Sequence, residues 1–145
     1  MNVLKPFAAR LPDRWQMELK RLHFARQIRR GSFKTSEPEY NMLPRLIGPG
    51  NWVLDIGANV GHYTKRMSEL VGPGGRVIAF EPVPATFALL AANVQRFKHA
   101  NVTLINAAAS GGTNIVGMTV PKFSTGLPTT MKLVFQMNRE VRWMC

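Results

Sequence analysis

Short apolar runs alternate with longer stretches of helical periodicity through the middle of the chain. The apolar runs lie at 52–56, 77–80 and 102–105, and turn-forming residues interrupt the sequence between them. Runs of this length with little polar alternation are typical of strands buried in a parallel sheet. Between them, 60–71 and 84–97 carry apolar residues at the three- and four-residue steps of a helix face. This order predicts a βαβαβ unit with right-handed crossovers.

An amphipathic helix is predicted ahead of this unit. Asp13 followed by Gln16 fits a capping box, and Gly31 stands where a helix commonly ends. The apolar stripe that we expect to pack consists of Trp15, Leu19, Leu22, Ala25 and Ile28. A second, short helix is predicted over 40–47, because Gly-Pro-Gly follows at 48–50.

Charge is concentrated in the first third of the chain. The 145 residues have the length of one domain and a net charge of +11, and residues 1–50 alone hold ten basic and four acidic side chains. The predicted first helix carries the basic residues Lys20, Arg21, Arg26, Arg29 and Arg30. Such a helix either binds nucleic acid or another anionic surface, or presents a solvated outer face. We favour the solvated face, because basic residues alone are a weak motif.

Cysteine and histidine content argues against a disulfide-stapled or metal-binding protein. The single cysteine, Cys145, cannot form an internal disulfide. His23, His62 and His99 are scattered, so no metal site is predicted. No apolar run approaches the ~18 residues of a membrane span, and no signal peptide is recognisable. The expectation is therefore a cytoplasmic protein, with its oligomeric state left open.

The most informative stretch joins the first strand to the next helix and reads Asp55-Ile56-Gly57-Ala58-Asn59-Val60-Gly61. A dinucleotide fingerprint needs glycine at 57, 59 and 62, and only Gly57 matches, so an NAD site is not favoured. The pattern of Asp55 followed by Gly57 and Gly61 is similar to the first motif of Rossmann-like S-adenosylmethionine-dependent methyltransferases. Asn59 replaces their middle glycine and tolerates the positive φ of such a turn. Glu81 ends the second strand, where a carboxylate can accept both hydrogen bonds of a ribose diol.

Three segments together resemble the FkbM family of methyltransferases. They are 53–64, 80–82 and 104–110, and the likeness extends over about residues 37 to 127. The resemblance implies methyl transfer from S-adenosylmethionine, usually to an oxygen of a sugar or natural product. It also implies a cofactor-binding set made of Asp55, Gly57, Ala58, Asn59 and Gly61 near the methionine part, Glu81 at the ribose, and Asn106 and Ala107 near the adenine. No catalytic base is identified.

The end of the chain departs from that family. An Asp-Val-Glu-Gly-like motif of a further strand does not occur, and residues 131–145 resemble nothing in the family. We therefore expect a truncated protein with three parts: a basic helical extension at 1–36, the cofactor-binding half at 37–130 and a divergent tail at 131–145. The predicted fold class is α/β, a Rossmann-like class I methyltransferase fold with an incomplete parallel sheet and helices on both faces.

Two other functions are kept as alternatives. The first is a non-enzymatic remnant that binds S-adenosylmethionine without transferring the methyl group. The second is a basic nucleic-acid-binding protein, or an RNA methyltransferase, that uses the basic residues of the first helix. The preferred partner is a small-molecule or saccharide acceptor.

Overall fold

The computed structural model describes residues 12–109, 118–119 and 134–135. Between residue 12 and the first strand, the structure has three helical elements: helix α1 (Asp13–Arg29), a 3-10 helix (Pro38–Asn41) and helix α2 (Leu43–Leu46). The rest follows as β1 (Trp52–Ile56), α3 (His62–Val71), β2 (Arg76–Phe80), α4 (Pro84–Val94), β3 (Val102–Ile105), β4 (Met118–Thr119) and β5 (Val134–Phe135). The predicted strands therefore match the structure to within one residue.

The first three strands form one parallel sheet in the order β1-β2-β3. Its register places Asp55 beside Ala79, and Ala79 beside Leu104. Neighbouring residues in a sheet point to the same face, so these three side chains share one side. Parallel pairing with helical crossovers confirms the predicted α/β architecture. A Rossmann-like half-sheet is thus present in the described part of the chain.

Helices α3 and α4 cover that face of the sheet. Leu90 of α4 is fully buried against Ala58 and Ala79, and partly buried apolar residues of α4 and β3 complete the cluster. Thr64 of α3 contacts Asp55 of β1 on the same side. Burial of apolar surface, which contributes roughly 25 cal/mol per Å², is the main stabilising contribution to the layer.

A buried polar cluster fixes the far end of α3. The side-chain amide of Asn101 donates hydrogen bonds to the carbonyls of Ser68 (3.0 Å) and Gly72 (2.7 Å). Its oxygen accepts a bond from the Ser68 hydroxyl at 2.6 Å. Asn101 stands directly before β3, so these bonds join the end of helix α3 to the start of that strand. The carbonyl of Gly72, the residue that follows the helix, gains a hydrogen bond in this way.

The opposite face of the sheet is exposed along β1. Trp52, Leu54 and Ile56 have exposed fractions of 73%, 59% and 63%. They alternate with Val53 and Asp55, which point to the covered side. The prediction of helices on both faces is therefore met for one face by the residues that the structure describes.

Helix α1 forms where it was predicted, but it packs with a partly different stripe, which keeps Ile28 of the predicted set. Trp15, Leu19 and Leu22 are exposed, so the expectation that they line the packing face was wrong. Met17, Phe24 and Ile28 pack instead against a small core of Phe33, Val60 and Leu89. These three residues repeat at seven and four positions, which is an equally regular helical face. The sequence offered two apolar stripes, and the aromatic contacts of Phe24 decide between them.

Two compact units divide the chain. Met17–Ala109 is one unit, and the other consists of Met1–Gln16 with Ser110–Cys145. In the second unit, β4 and β5 pair antiparallel, Met118 opposite Phe135. The proposed division at 36 and 130 remains a prediction. Most of the predicted tail, including Cys145, lies outside the described residues.

Candidate functional site

The turn between β1 and α3 has a left-handed backbone at three alternate positions. The φ angles are 82° at Gly57, 51° at Asn59 and 98° at Gly61. The N–H groups of Gly57 and Ala58 both donate to the carbonyl of Phe80 at 2.9 Å. These bonds fasten the turn to the end of β2. The prediction that Asn59 tolerates positive φ is confirmed.

The two glycines of this turn serve different purposes. A Cβ atom added at Gly57 would meet nothing within 4 Å, so the space beside this backbone is open. At Gly61 a Cβ atom would lie 2.7 Å from Cδ1 of Leu90, which is too close for a real contact. Gly61 is therefore required by the packing of helix α4, whereas Gly57 leaves room for a ligand to approach the main chain.

Glu81 lies at the end of β2 and holds the turn from the other side. Its side chain is only 3% exposed. One carboxylate oxygen accepts the N–H of Asn59 and the other accepts the N–H of Val83, both at 2.9 Å. Glu81 thus points towards the glycine turn, and its predicted contact with a ribose stays a prediction. Each oxygen keeps a second acceptor position, because a carboxylate can accept about four bonds in all.

Asp55 lies beside this turn on the covered face of the sheet. It is 7% exposed and accepts a hydrogen bond from the Thr64 hydroxyl at 2.6 Å. Burial raises the pKa of Asp55, the hydrogen bond from Thr64 lowers it, and the charge of Glu81 raises it again. The net pKa lies above its ordinary value, because desolvation disfavours the charged carboxylate most.

Two buried carboxylates therefore stand at adjacent strand ends, close enough for Glu81 to influence the pKa of Asp55. The ion pairs found within the described residues are Arg21 with Glu18 and Lys65 with Glu69, and neither involves this pair. A buried negative charge without a cationic partner is costly. The arrangement is complementary to a positively charged ligand.

The other predicted site residues take simpler positions. The Asn106 amide donates to the main-chain carbonyl of Glu81 at 2.7 Å and so ties the end of β3 to the end of β2. Ala107 is exposed beside it, and Ala58 is buried in the core cluster under α4. All eight predicted residues belong to strand ends or to the turns that follow them. Their contacts with a cofactor remain a prediction.

Sequence reasoning missed the contacts that the segment before β1 makes with helix α3. The ring centroids of Phe33 and His62 are 4.2 Å apart, and those of Tyr40 and Tyr63 are 5.5 Å apart. Tyr63 also hydrogen-bonds to the carboxylate of Glu37. No short-range pattern could reveal these pairs. The adjacent rings of His62 and Tyr63 at the start of a helix were the one local sign that aromatic residues from elsewhere in the chain would pack there.

The charges around Tyr63 and His62 fix their protonation. Partial burial, the hydrogen bond to Glu37 and the nearby carboxylates of Glu37, Glu39 and Asp55 raise the pKa of Tyr63 to about 12. Burial lowers the pKa of His62, and the charge of Glu37 opposes this effect. At neutral pH both side chains are therefore uncharged. Tyr63 is a phenol donor there and not a base.

Comparison with known proteins places this geometry in a family. The sequence matches the family described as "Methyltransferase FkbM domain" over residues 55–133, which is more than half of the chain. The match begins at Asp55 and includes the glycine turn, Glu81 and Asn106. The chain belongs to the FkbM methyltransferase family. This finding confirms the resemblance seen in the sequence.

Individual relatives share shorter segments with this FkbM chain. The 31-O-demethyl-FK506 methyltransferase FkbM of Streptomyces tacrolimicus is 46% identical over 52 residues, which is 36% of this chain and 20% of that protein. The protein-L-isoaspartate O-methyltransferase of Methanothrix thermoacetophila is 36% identical over 56 residues, or 39% of this chain and 27% of its own. The matched segments thus span about a quarter of these relatives' length.

Among solved structures, a protein-L-isoaspartate O-methyltransferase is similar at 26% sequence identity, with a TM-score of 0.47. The aligned part covers 51% of this chain and 24% of that structure. Within the described ranges, no helix is long and apolar enough to cross a membrane. In the same ranges, no three His, Cys, Asp or Glu side chains gather in a way that could hold a metal ion.

Proposed function

We propose that this FkbM chain binds S-adenosylmethionine at the ends of β1 and β2 and takes part in methyl transfer to an oxygen of a sugar or natural product. The observation that carries the proposal is the pair Asp55 and Glu81, two buried carboxylates beside an open glycine turn. A sulfonium with an ammonium group is a ligand of the complementary charge. The sequences of FkbM relatives support the same reading.

The residues present fit the parts of this cofactor. Glu81 keeps free acceptor positions for the ribose diol. Asp55 supplies negative charge on the methionine side, where Gly57 and Asn59 leave the backbone approachable. The first turn of helix α3 offers N–H groups without helical acceptors, which suits the methionine carboxylate. Asn106 and Ala107 would border the adenine.

When bound, S-adenosylmethionine would supply an activated methyl group: a carbon–oxygen bond to the acceptor would form as the carbon–sulfur bond breaks, the sulfur would leave as the neutral thioether of S-adenosylhomocysteine, and the hydroxyl proton would pass to a solvent base. The protein's share of such a reaction is mainly alignment and exclusion of water. Asp55 is held by Thr64 and serves charge placement. Tyr63 stays protonated at neutral pH, so it cannot remove the proton of an acceptor hydroxyl.

A pair of glycine variants tests the cofactor site. Gly57→Ala and Gly50→Ala place a methyl group at similar positive φ angles, 82° and 80°, with open space around both. Each should lose about 1–2 kcal/mol of stability from backbone strain. Only Gly57→Ala should weaken S-adenosylmethionine binding in calorimetry, by about tenfold or more, because close backbone approach is lost. Equal affinities of the two variants would overturn the proposal.

A carboxylate variant adds a second measurement. Glu81→Gln should reduce affinity for S-adenosylmethionine by about tenfold, since a charge-assisted bond is worth roughly 1.5–3 kcal/mol. Glu69→Gln on the exposed side of α3 is the matched control and should bind normally. Circular dichroism of both variants checks that the fold is kept. Binding without methyl transfer to any hydroxylated acceptor would favour the non-enzymatic alternative.

A further inference from the structure

An open surface depression of about 450 Å³, called the cavity below, is formed by the stretch that follows helix α1 together with the 3-10 helix. Its lining residues are Ser32, Lys34, Thr35, Ser36, Tyr40 and Asn41. All six precede Asp55, so the cavity lies upstream of the segment that matches the FkbM family. None of them belongs to the cofactor-binding set proposed above.

Two aromatic contacts connect this stretch to the cofactor turn. Phe33 stacks on His62, the first residue of α3, and Tyr40 meets Tyr63, the second. Tyr63 is in turn hydrogen-bonded to Glu37, between the cavity residues and the 3-10 helix. Tyr40, which lines the cavity, therefore packs on the first turn of helix α3, and that turn directly follows Gly61 of the glycine turn. The first turn of α3 thus links the cavity to the cofactor turn.

The lining is chemically uniform. It offers four hydroxyl groups, one carboxamide and one ammonium group, and no carboxylate. The described residues provide no hydrogen-bond or ion-pair partner for the Lys34 ammonium, the Ser36 hydroxyl or the Asn41 amide. Hydroxyl and amide groups of this kind bind polyhydroxylated ligands by hydrogen bonds, and a lysine adds a point charge for an anionic group.

Positive charge continues from the cavity into helix α1. Arg29, the last residue of helix α1, and Arg30 are exposed, and only Gly31 separates them from Ser32. The acidic residues of the region, Glu37 and Glu39, act on Tyr63 and are not part of the lining. The lining itself thus carries one positive charge, at Lys34, and four hydroxyl groups.

We propose that this cavity is the acceptor subsite, and that it takes a small hydroxylated molecule carrying an anionic group, of the sugar phosphate class. Lys34 binds the anionic group, and Ser36, Tyr40 and Asn41 bind hydroxyls. This inference rests on the proposed function, because an acceptor is meaningful only beside a bound methyl donor. It narrows the acceptor from any sugar or natural product to a negatively charged one.

The experiment compares three probes on the whole chain: glucose 6-phosphate, glucose and inorganic phosphate, followed by amide chemical shifts in nuclear magnetic resonance. Glucose 6-phosphate should bind about tenfold more tightly than glucose or phosphate alone, because it contacts both the Lys34 ammonium and the hydroxyl groups of the lining. The shifts should concentrate at residues 32–41. Equal binding of phosphate and glucose 6-phosphate would show an anion site only and overturn the proposal.

Variants sharpen the result. Lys34→Gln should weaken glucose 6-phosphate by about tenfold and leave glucose unchanged, whereas Lys98→Gln, at another exposed lysine, should change neither. Tyr40→Phe keeps the ring contact with Tyr63 and should weaken glucose and glucose 6-phosphate alike. If Lys34→Gln binds glucose 6-phosphate as tightly as Lys98→Gln does, the proposed subsite is wrong.

Two further measurements separate the possible failures. S-Adenosylmethionine binding is measured on the same variants, and Lys34→Gln should leave it unchanged. If the unmodified chain binds S-adenosylmethionine but not glucose 6-phosphate, the subsite alone is overturned. If it binds neither, the proposed function is overturned as well. A short RNA that binds with steep salt dependence and resists competition by glucose 6-phosphate would favour the nucleic-acid alternative and also overturn the subsite.

Discussion

The two faces of the three-stranded sheet differ sharply. On one face, Val77, Ala79 and the Leu90 side chain above them are fully buried under helices α3 and α4. On the other, Trp52, Leu54 and Ile56 of β1 are more than half exposed. Both faces carry apolar residues, and the exposed ones are the larger, so apolar character alone does not determine burial. What decides it is the helices that the crossovers place on one side.

The largest expected difference comes from the same substitution made on each face. Leu90→Ala should cost about 2–5 kcal/mol, because it leaves a cavity among buried side chains. Leu54→Ala removes an exposed side chain and should cost under about 1 kcal/mol. Urea unfolding monitored by circular dichroism measures both. Similar losses in the two variants would show that Leu54 is covered in solution and that the contrast between the faces is false.

The polar cluster at the end of α3 should have the next largest effect. Asn101→Ala removes three hydrogen bonds on the covered side, at roughly 0.5–1.5 kcal/mol each, and should cost about 2–4 kcal/mol. Thr103→Ala, at an exposed position of β3, is the control and should cost little. Thermal unfolding measures both, and a small loss for Asn101→Ala would indicate that water replaces its bonds.

Thr64→Val tests the polar contact under the glycine turn. Without the hydroxyl, the pKa of Asp55 should rise further above its ordinary 3.8, because burial is then unopposed. A raised pKa means that the folded state binds the proton more tightly, so ionised Asp55 disfavours folding above that pKa. The variant should lose about 1–2 kcal/mol near neutral pH and progressively less as the pH falls towards 3.8. A pH-independent loss would contradict this account.

His62 should give the smallest effect. Its pKa is lowered from 6.5, so on acidification the unfolded chain takes up the proton first. Stability should therefore fall modestly as the pH drops through 6.5 towards the folded pKa. In His62→Phe, which can keep the stacking on Phe33, this part of the pH dependence should vanish. Unfolding curves at several pH values provide the check, and an unchanged slope would exclude His62 as its source.

Local patterns in the sequence predicted the sheet well. The strand runs at 52–56 and 102–105 match the structure, and the second strand begins one residue earlier, at Arg76. The helix predicted from Val60 begins at His62, because Val60 and Gly61 belong to the turn. Apolar runs and glycines are local signals, and each element of a βαβαβ unit depends mostly on its own residues.

Long-range contacts could not be predicted in the same way. Helix α1 offered two apolar stripes, and the choice between them depends on Phe33 and Val60, which lie elsewhere in the sequence. The hydrogen bond from Tyr63 to Glu37 joins residues from different elements. For the site, the motif located Asp55 and Glu81, but their shared burial, with no ion pair to a cation among the described residues, is visible only in three dimensions.

The double donation from Gly57 and Ala58 to the Phe80 carbonyl has a consequence for ligand entry. The turn cannot swing open unless the last bonds between β1 and β2 also break, so its motion is tied to the sheet itself. A ligand that binds there contacts a turn that is already ordered, because the conformational entropy of the turn was lost when the chain folded. Hydrogen exchange at these two amides should accordingly be slow before any ligand arrives, and change little afterwards.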